Sequence, residues 1–402
     1  MELTLNEIKP LLKYIIQNNQ KIQENGGMPV ACELIGDAGL GKTAIIEQIA
    51  TELDATYIKL NLAQIVEEGE LSGFPIREHY VCKNDGDCKW ITSELIEVYA
   101  KAGYDITSET RMSYAIPRWV KDINPDKMTI VNLDDYSRCT PHIAQAVMEL
   151  IYKQEYISWK LPPNTHIVLT SNPDNGSYNV TSTDEAQKSR YISFKIKFDA
   201  NAWARWAEFS GLDGRGINFL LSYHHELMDR STTKESKVNA RNYTMFINTI
   251  SGLDDWSVSK NLAIILQIAS GCFLDDDNIV GNLFTTFIAN KLDKLIAPED
   301  LIHKEWSYVK GALNSQLYDG DLYRADIASI ITTRFVNYAD FYLSQKNSKV
   351  EIVIDRLVDI IDNDKILLTE DLLYHLIKTI TTKYSGKANK LLMNAKIRKK
   401  LL

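Results

Sequence analysis

Apolar residues along the chain follow two successive rhythms. Up to about residue 198, short apolar runs recur at Val30 to Ile35, Tyr57 to Leu62, Met128 to Leu133, His166 to Thr170 and Tyr191 to Phe198. Each is bounded by polar or glycine-containing sequence, as strands are. Between them, apolar residues recur at helical spacing: Leu5, Ile8, Leu12, Ile15 and Ile16 before the first run, with Pro10 as a break or a start, then Ile45, Ile46, Ile49 and Leu53 after it. Thr140 followed by Pro141 reads as the capped start of a helix whose inward face is Ile143, Val147, Leu150 and Ile151. Near-continuous apolar strands alternating with helices predict an α/β fold, a parallel five-stranded sheet with helices on both faces. After Asp199 the strand rhythm stops, and Trp203 to Phe209, Ile217 to Met228 and Arg241 to Ile250 open a run of helices. The expected organisation is an α/β domain over 1–198, a helical lid over 199–297 and a helical C-terminal extension over 298–402. Trp203, Trp206 and Phe209 share a helical face and are expected in the lid core.

Composition narrows the classes. With 45% hydrophobic and 24% charged residues, the 402-residue chain reads as globular and soluble rather than disordered. A net charge of −8 weighs against a broad nucleic-acid-binding face, so nucleic acid is not the expected partner. The basic tail from Lys387 reads as a solvated terminal helix. No apolar run reaches the roughly eighteen residues of a membrane span, and the chain is expected to be cytoplasmic. Cys32, Cys82, Cys88, Cys139 and Cys272 are scattered and odd in number, so free thiols are expected. His79, Cys82 and Cys88 match no standard zinc spacing, and zinc is not expected.

The strongest chemical signal is Gly36-Asp37-Ala38-Gly39-Leu40-Gly41-Lys42-Thr43, followed by Ala44. It fits G-x-x-x-x-G-K-[ST] with a strand before and a helix after, the context that makes the pattern specific. Glycines let backbone N–H groups turn inward around phosphate oxygens, and the helix N-terminus adds its dipole. Lys42 is placed to reach the β- and γ-phosphates of ATP, and the Thr43 hydroxyl to bind Mg²⁺.

Such a loop needs an acid at the end of a neighbouring strand. Ile130-Val131-Asn132-Leu133-Asp134-Asp135 supplies one, with Asp134 as the candidate for the Mg²⁺ shell and Asp135 for polarising the attacking water. The next strand ends in Leu169-Thr170-Ser171-Asn172-Pro173, whose Asn172 amide suits a hydrogen bond to that water or to the γ-phosphate. Tyr80 to Ile91, with Asn84-Asp85-Gly86-Asp87 at its centre, predicts a hairpin with a glycine turn.

The order of Asn61-Leu62, Gly69-Glu70-Leu71-Ser72-Gly73-Phe74-Pro75, Ile116-Pro117-Arg118-Trp119-Val120, Leu133-Asp134-Asp135-Tyr136-Ser137-Arg138, Thr170-Ser171-Asn172-Pro173, Ser189-Arg190-Tyr191 and Trp203-Ala204-Arg205-Trp206 resembles the MoxR-like branch of the AAA+ ATPases. The resemblance covers about residues 30 to 250. It implies an ATPase that assembles into rings, commonly hexamers, and remodels, loads or activates protein clients, with partners that often carry a von Willebrand factor A domain. It also implies a sensor role for Asn172, an arginine finger at Arg190 reaching a neighbouring subunit, a second sensor at Arg241 in the lid, an interface place for Arg138 and a client-facing place for the hairpin. ATP is expected between α/β domain and lid, with a hinge near Asp199.

One departure matters. The family usually has Asp-Glu where this chain has Asp134-Asp135. Aspartate is shorter by one carbon–carbon bond, about 1.5 Å, enough to take a water-activating carboxylate out of reach. Slow hydrolysis is therefore expected. A nucleotide-gated assembly module with little turnover and a DNA-linked loader are the alternatives.

Overall fold

The computed structural model describes residues 2–174, 179–181, 185–228, 238–274 and 278–401. The chain divides into two compact units, Met1–Lys197 and Phe198–Leu402.

The first unit is built on a wholly parallel sheet. In chain order its strands are β1 (Glu2–Leu3), β2 (Ala31–Ile35), β3 (Thr56–Asn61), β7 (Thr129–Asp134), β8 (Thr165–Ser171) and β9 (Tyr191–Ile196). Their spatial order is β1-β9-β2-β8-β7-β3. Six strands stand where five were expected. The extra one is a two-residue edge strand, Glu2 against Lys195 and Leu3 against Ile196, too short to carry a periodic signal.

Alternate residues of the central strands serve opposite faces, as a pleated strand buried on both sides must. Cys32, Leu34, Ile130 and Val168 pack under Ile8, Leu12 and Ile16 of helix α1 (Leu5–Glu24) and under Ile45, Ile46 and Ile49 of helix α2 (Lys42–Glu52). Ala31, Val131, Leu133, Ile167 and Leu169 face Ile143, Val147, Leu150 and Ile151 of helix α3 (Pro141–Lys153), which Thr140 caps by accepting from the Ile143 N–H. Each fully buried isoleucine contributes roughly 1.5–3 kcal/mol relative to exposure. Pro10 neither starts nor breaks α1. Thr4 and Glu7 form a capping box at its start, and Pro10 lies on the exposed side.

A second, antiparallel sheet is inserted after β3. It is formed by β4 (Pro75–Cys82), β5 (Cys88–Thr92) and β6 (Asp105–Tyr114) in the order β5-β4-β6. The expected hairpin is β4–β5, turning at Gly86 with φ +88°. Directly opposite residues Cys82 and Cys88 are joined by a disulfide, so the expectation of free thiols fails there. Cys32 and Cys139 are buried free thiols, pushed up by burial to about 12 and about 11, and so are unreactive near neutral pH.

Among the described residues the regular structure of the second unit is helical apart from a short ribbon, Tyr318–Asp319 with Leu322–Tyr323. One apolar cluster runs through it from Trp203 to Ile397. Trp203 belongs to that core, whereas Trp206 is 43% and Phe209 39% exposed, which corrects the expectation for those two. The basic tail is also not simply solvated. Leu391 and Ile397 are buried, and Lys387 and Lys390 pair with Glu351 and Asp355 of the helix Val350–Asp362. Among the described residues no helix is long and apolar enough to cross a membrane.

Candidate functional site

The loops that hold the candidate residues all leave the carboxyl ends of adjacent parallel strands, where open α/β sheets place their ligands. β2 ends at Ile35 and passes directly into Gly36, whose N–H donates to the Ser171 carbonyl at the end of β8. A Cβ at Gly36 would lie 2.8 Å from the Ile196 carbonyl and 2.9 Å from Leu40 Cδ1, so only glycine passes there. Gly39 and Gly41 have φ of +82° and +90°, which L side chains rarely adopt. Asp37, Ala38 and Leu40 complete the loop, and Lys42, Thr43 and Ala44 open α2. Glycines with these signs of φ, ahead of a helix N-terminus, form a concave row of backbone donors suited to a polyphosphate.

Lys42 is buried, and its ammonium donates to the carbonyls of Gly36 at 2.7 Å and Asp37 at 2.9 Å. The Thr43 hydroxyl donates to Asp134 Oδ1 at 2.8 Å. The Thr170 hydroxyl donates to the same oxygen, and Lys59 Nζ lies 2.9 Å from Oδ2. Burial tends to raise the Asp134 pKa, but the hydrogen bonds from Thr170, Lys59 and Thr43 outweigh it and hold the carboxyl below its ordinary range. Asp134 is therefore an ionised carboxylate near neutral pH, facing a hydroxyl at a helix start. The pairing fits a divalent cation with oxygen ligands.

Asp135 follows in the left-handed region, φ +55° and ψ +36°. Its N–H donates to Thr170 Oγ1 at 3.2 Å, and the Asn172 N–H donates to Ser137 Oγ at 2.9 Å. The turn after β7 is thus tied to β8 through Thr170 and to the turn after β8 through Asn172. Asn172 is 6% exposed beneath this seam. The structure brings Lys42, Thr43, Asp134, Asp135 and Asn172 to one edge of the sheet. Arg190 immediately precedes β9, with one guanidinium N–H donating to the Ala186 carbonyl and the group 6.0 Å from the Tyr152 ring centroid. Arg138 is exposed after Asp135. Arg241 lies in the second unit, in the first turn of the helix Ala240–Ile250, where the Asn239 side chain accepts from its N–H at 3.0 Å.

Sequence reasoning missed Lys59, Thr170, Ser137 and Glu33. Glu33, in β2 and 5% exposed, accepts from the Ser171 and Ser193 hydroxyls at 2.6 and 2.7 Å, tying three central strands together just behind the glycine loop. A charged residue inside an apolar strand was the available signal for both Lys59 and Glu33.

No protein-family model matches this chain, and no curated protein matches it. Solved structures with a similar arrangement include the Thermotoga maritima RuvB P216G mutant, at 14% identity over 67% of this chain and 80% of that one, TM-score 0.31. A putative ATPase from Cytophaga hutchinsonii is 15% identical over 94% of this chain and 88% of its own, TM-score 0.30. NtrX from Brucella abortus in complex with ADP is 11% identical over 60% of this chain and 50% of its own, TM-score 0.32.

Proposed function

We propose that the chain is a magnesium-dependent ATPase of the AAA+ class, of the MoxR-like branch, that turns over slowly and works as a hexamer-like ring on a protein client. The observation that carries the nucleotide reading is the Thr43–Asp134 hydrogen bond beside a loop in which Gly36, Gly39 and Gly41 each meet a steric or backbone demand. Two elements far apart in sequence are held in the geometry that a metal–triphosphate needs.

In this reading the backbone from Gly36 to Ala44 cradles the phosphates, and Lys42 leaves its two loop carbonyls to reach the β- and γ-oxygens. Thr43 and Asp134 would hold Mg²⁺, which supplies charge neutralisation on the phosphates. Asp135 orients and deprotonates the attacking water, while Asn172 fixes that water or the γ-phosphate. Arg190 and Arg241 are assigned to phosphate contacts, the first from a neighbouring protomer, because a planar, permanently charged fork pairs with phosphate oxygens at two points. The ring and the protein client, of a kind that in the family often carries a von Willebrand factor A domain, rest on the resemblance, whereas the cytoplasmic setting and the division of the helical unit into lid 199–297 and extension 298–402 rest on the sequence pattern alone.

A second reading, a nucleotide-gated assembly module, is favoured by one observation. The water-activating position holds a short carboxylate on a left-handed backbone. Phosphate release measured with and without nucleotide-driven assembly separates the two readings.

Calorimetric titration of MgATP into the wild type and into Lys42→Ala tests the core. The wild type binds, and the variant loses about tenfold or more in affinity, the worth of a charge-assisted hydrogen bond. No nucleotide uptake by the folded wild type sinks the proposal.

A further inference from the structure

Asp134 has two carboxylate oxygens, and they are engaged differently. Oδ1 accepts from the two hydroxyls Thr43 and Thr170, while Oδ2, among the described residues, faces the Lys59 ammonium at 2.9 Å. Lys59 sits in β3, paired with Asn132, one step of the pleat behind Asn61, which pairs with Asp134. Residues two apart share a strand face, so Lys59 and Asp134 lie diagonally on the same side of the sheet, and the long lysine stem reaches forward to the strand ends. The Lys59 side chain is 45% exposed and that of Asp134 10%. The ammonium therefore approaches from the solvent side, the side from which a hydrated divalent ion would have to arrive.

A structural account would make this an ordinary cross-strand ion pair. Half-exposed pairs contribute little to stability, and this one is formed by the one acid that a magnesium site at Thr43 needs. We propose that Lys59 is a built-in counter-cation of Asp134, a positioning residue that yields the Oδ2 flank when Mg²⁺ arrives with nucleotide and returns when it leaves. The inference rests on the nucleotide-site reading above. Two consequences follow. Magnesium must displace a tethered competitor, so it is held more weakly than the donor set alone would allow. Nucleotide without metal still meets a site whose acidic charge is neutralised, so its binding is penalised less.

The experiment measures the affinity of a non-hydrolysable ATP analogue by calorimetry, in Mg²⁺ and in a chelator, for the wild type, Lys59→Met, Lys59→Gln and Lys59→Arg. The wild-type ratio of the two affinities is the reference. In both neutral variants the ratio rises by about two- to fivefold, the scale of one half-exposed ion pair, through tighter metal-dependent and weaker metal-free binding. Lys59→Arg keeps the wild-type ratio. A merely structural lysine would change both affinities together and leave the ratio where it was. An unchanged ratio in both neutral variants, with the wild type binding normally, overturns the inference alone. A wild type that binds no analogue in Mg²⁺ overturns both this inference and the reading it rests on.

Discussion

His166 offers a test of how firmly the sheet holds its interior. It is the second residue of β8, 1% exposed, and one ring nitrogen, Nε2, lies 3.2 Å from Asn164 Oδ1. The other, Nδ1, is buried without a partner among the described residues. A second proton would thus place an N–H and a full charge in apolar surroundings, and burial pushes the pKa down from 6.5 to about 4. A group whose folded pKa lies below its unfolded value contributes stability that is complete above the unfolded pKa and is lost as pH falls through the folded one. The window is therefore from about 6.5 down to about 4. A shift of this size corresponds to about 3 kcal/mol in full, of which roughly 2.5 kcal/mol is lost by about pH 4.5. Other groups also titrate in acid, so the wild type is compared with His166→Gln by urea unfolding at about pH 7 and pH 4.5. The glutamine keeps a donor for Asn164 and cannot be charged. It is less stable than the wild type at neutral pH but loses about 2.5 kcal/mol less on acidification. Carbon-13 labelling of histidine gives an independent reading, with the His166 resonance neutral well below pH 6. Equal acid losses in the two proteins, or a His166 resonance titrating near 6.5, would refute the reasoning.

Two further outcomes are expected. Asp135→Asn abolishes phosphate release while leaving nucleotide affinity within about twofold, because asparagine tolerates the same left-handed backbone, and Asp135→Glu raises release above wild type at a stability loss of about 1 kcal/mol; a release rate unmoved by glutamate would show that the short carboxylate is not limiting. In the helical unit, Arg334 and Glu208 form a buried pair with 8% and 7% of their side chains exposed, and Arg334 also donates to Asn218 Oδ1 at 3.1 Å. Arg334→Met strands the Glu208 charge and is expected to destabilise that unit by about 3–5 kcal/mol in thermal or chemical unfolding, and a loss under about 1 kcal/mol would show the pair to be dispensable.

Much of the first unit was legible because its signals are local. The five longer strands of the parallel sheet fall within one or two residues of the apolar runs, and the three innermost, β2, β7 and β8, are buried nearly throughout, which demands apolar residues on both faces. The glycine loop was legible because its requirements, small residues at positive φ and a cation at a helix start, are met within eight consecutive positions. Strand β6 was not legible: it is largely exposed, and Asp105-Ile106-Thr107-Ser108-Glu109 has little burial to impose alternation. The disulfide between Cys82 and Cys88 depended on the register of the hairpin, which an odd count of scattered cysteines does not reveal. The Lys59–Asp134 contact joins residues on different strands through a flexible side chain, and nothing in the local pattern marks such a pairing. Trp206 and Phe209 were misassigned because a shared helical face fixes direction along one helix but not which flank of that face the rest of the fold covers.

The two adjacent aspartates carry the last step of the argument, because the fold treats them in opposite ways. Asp134 closes a fully buried strand and is restrained by two hydroxyls and an ammonium, so its charge and position are settled before any nucleotide arrives. Asp135, one residue on, is half-buried and stands at φ +55°, past the end of the strand and at the start of the turn that follows. Aspartate and asparagine are several-fold enriched in that region, whereas a longer side chain meets a greater penalty. Aspartate at this position therefore suits the backbone that holds it, and under the proposed function it also shortens the water-activating group. Under that proposal conformational relief and catalytic reach pull in opposite directions at this single position. On the proposed function, a tightly restrained binding acid beside a relaxed hydrolytic one predicts a long-lived nucleotide-bound state, which would tie slow turnover and nucleotide-gated assembly to one physical cause.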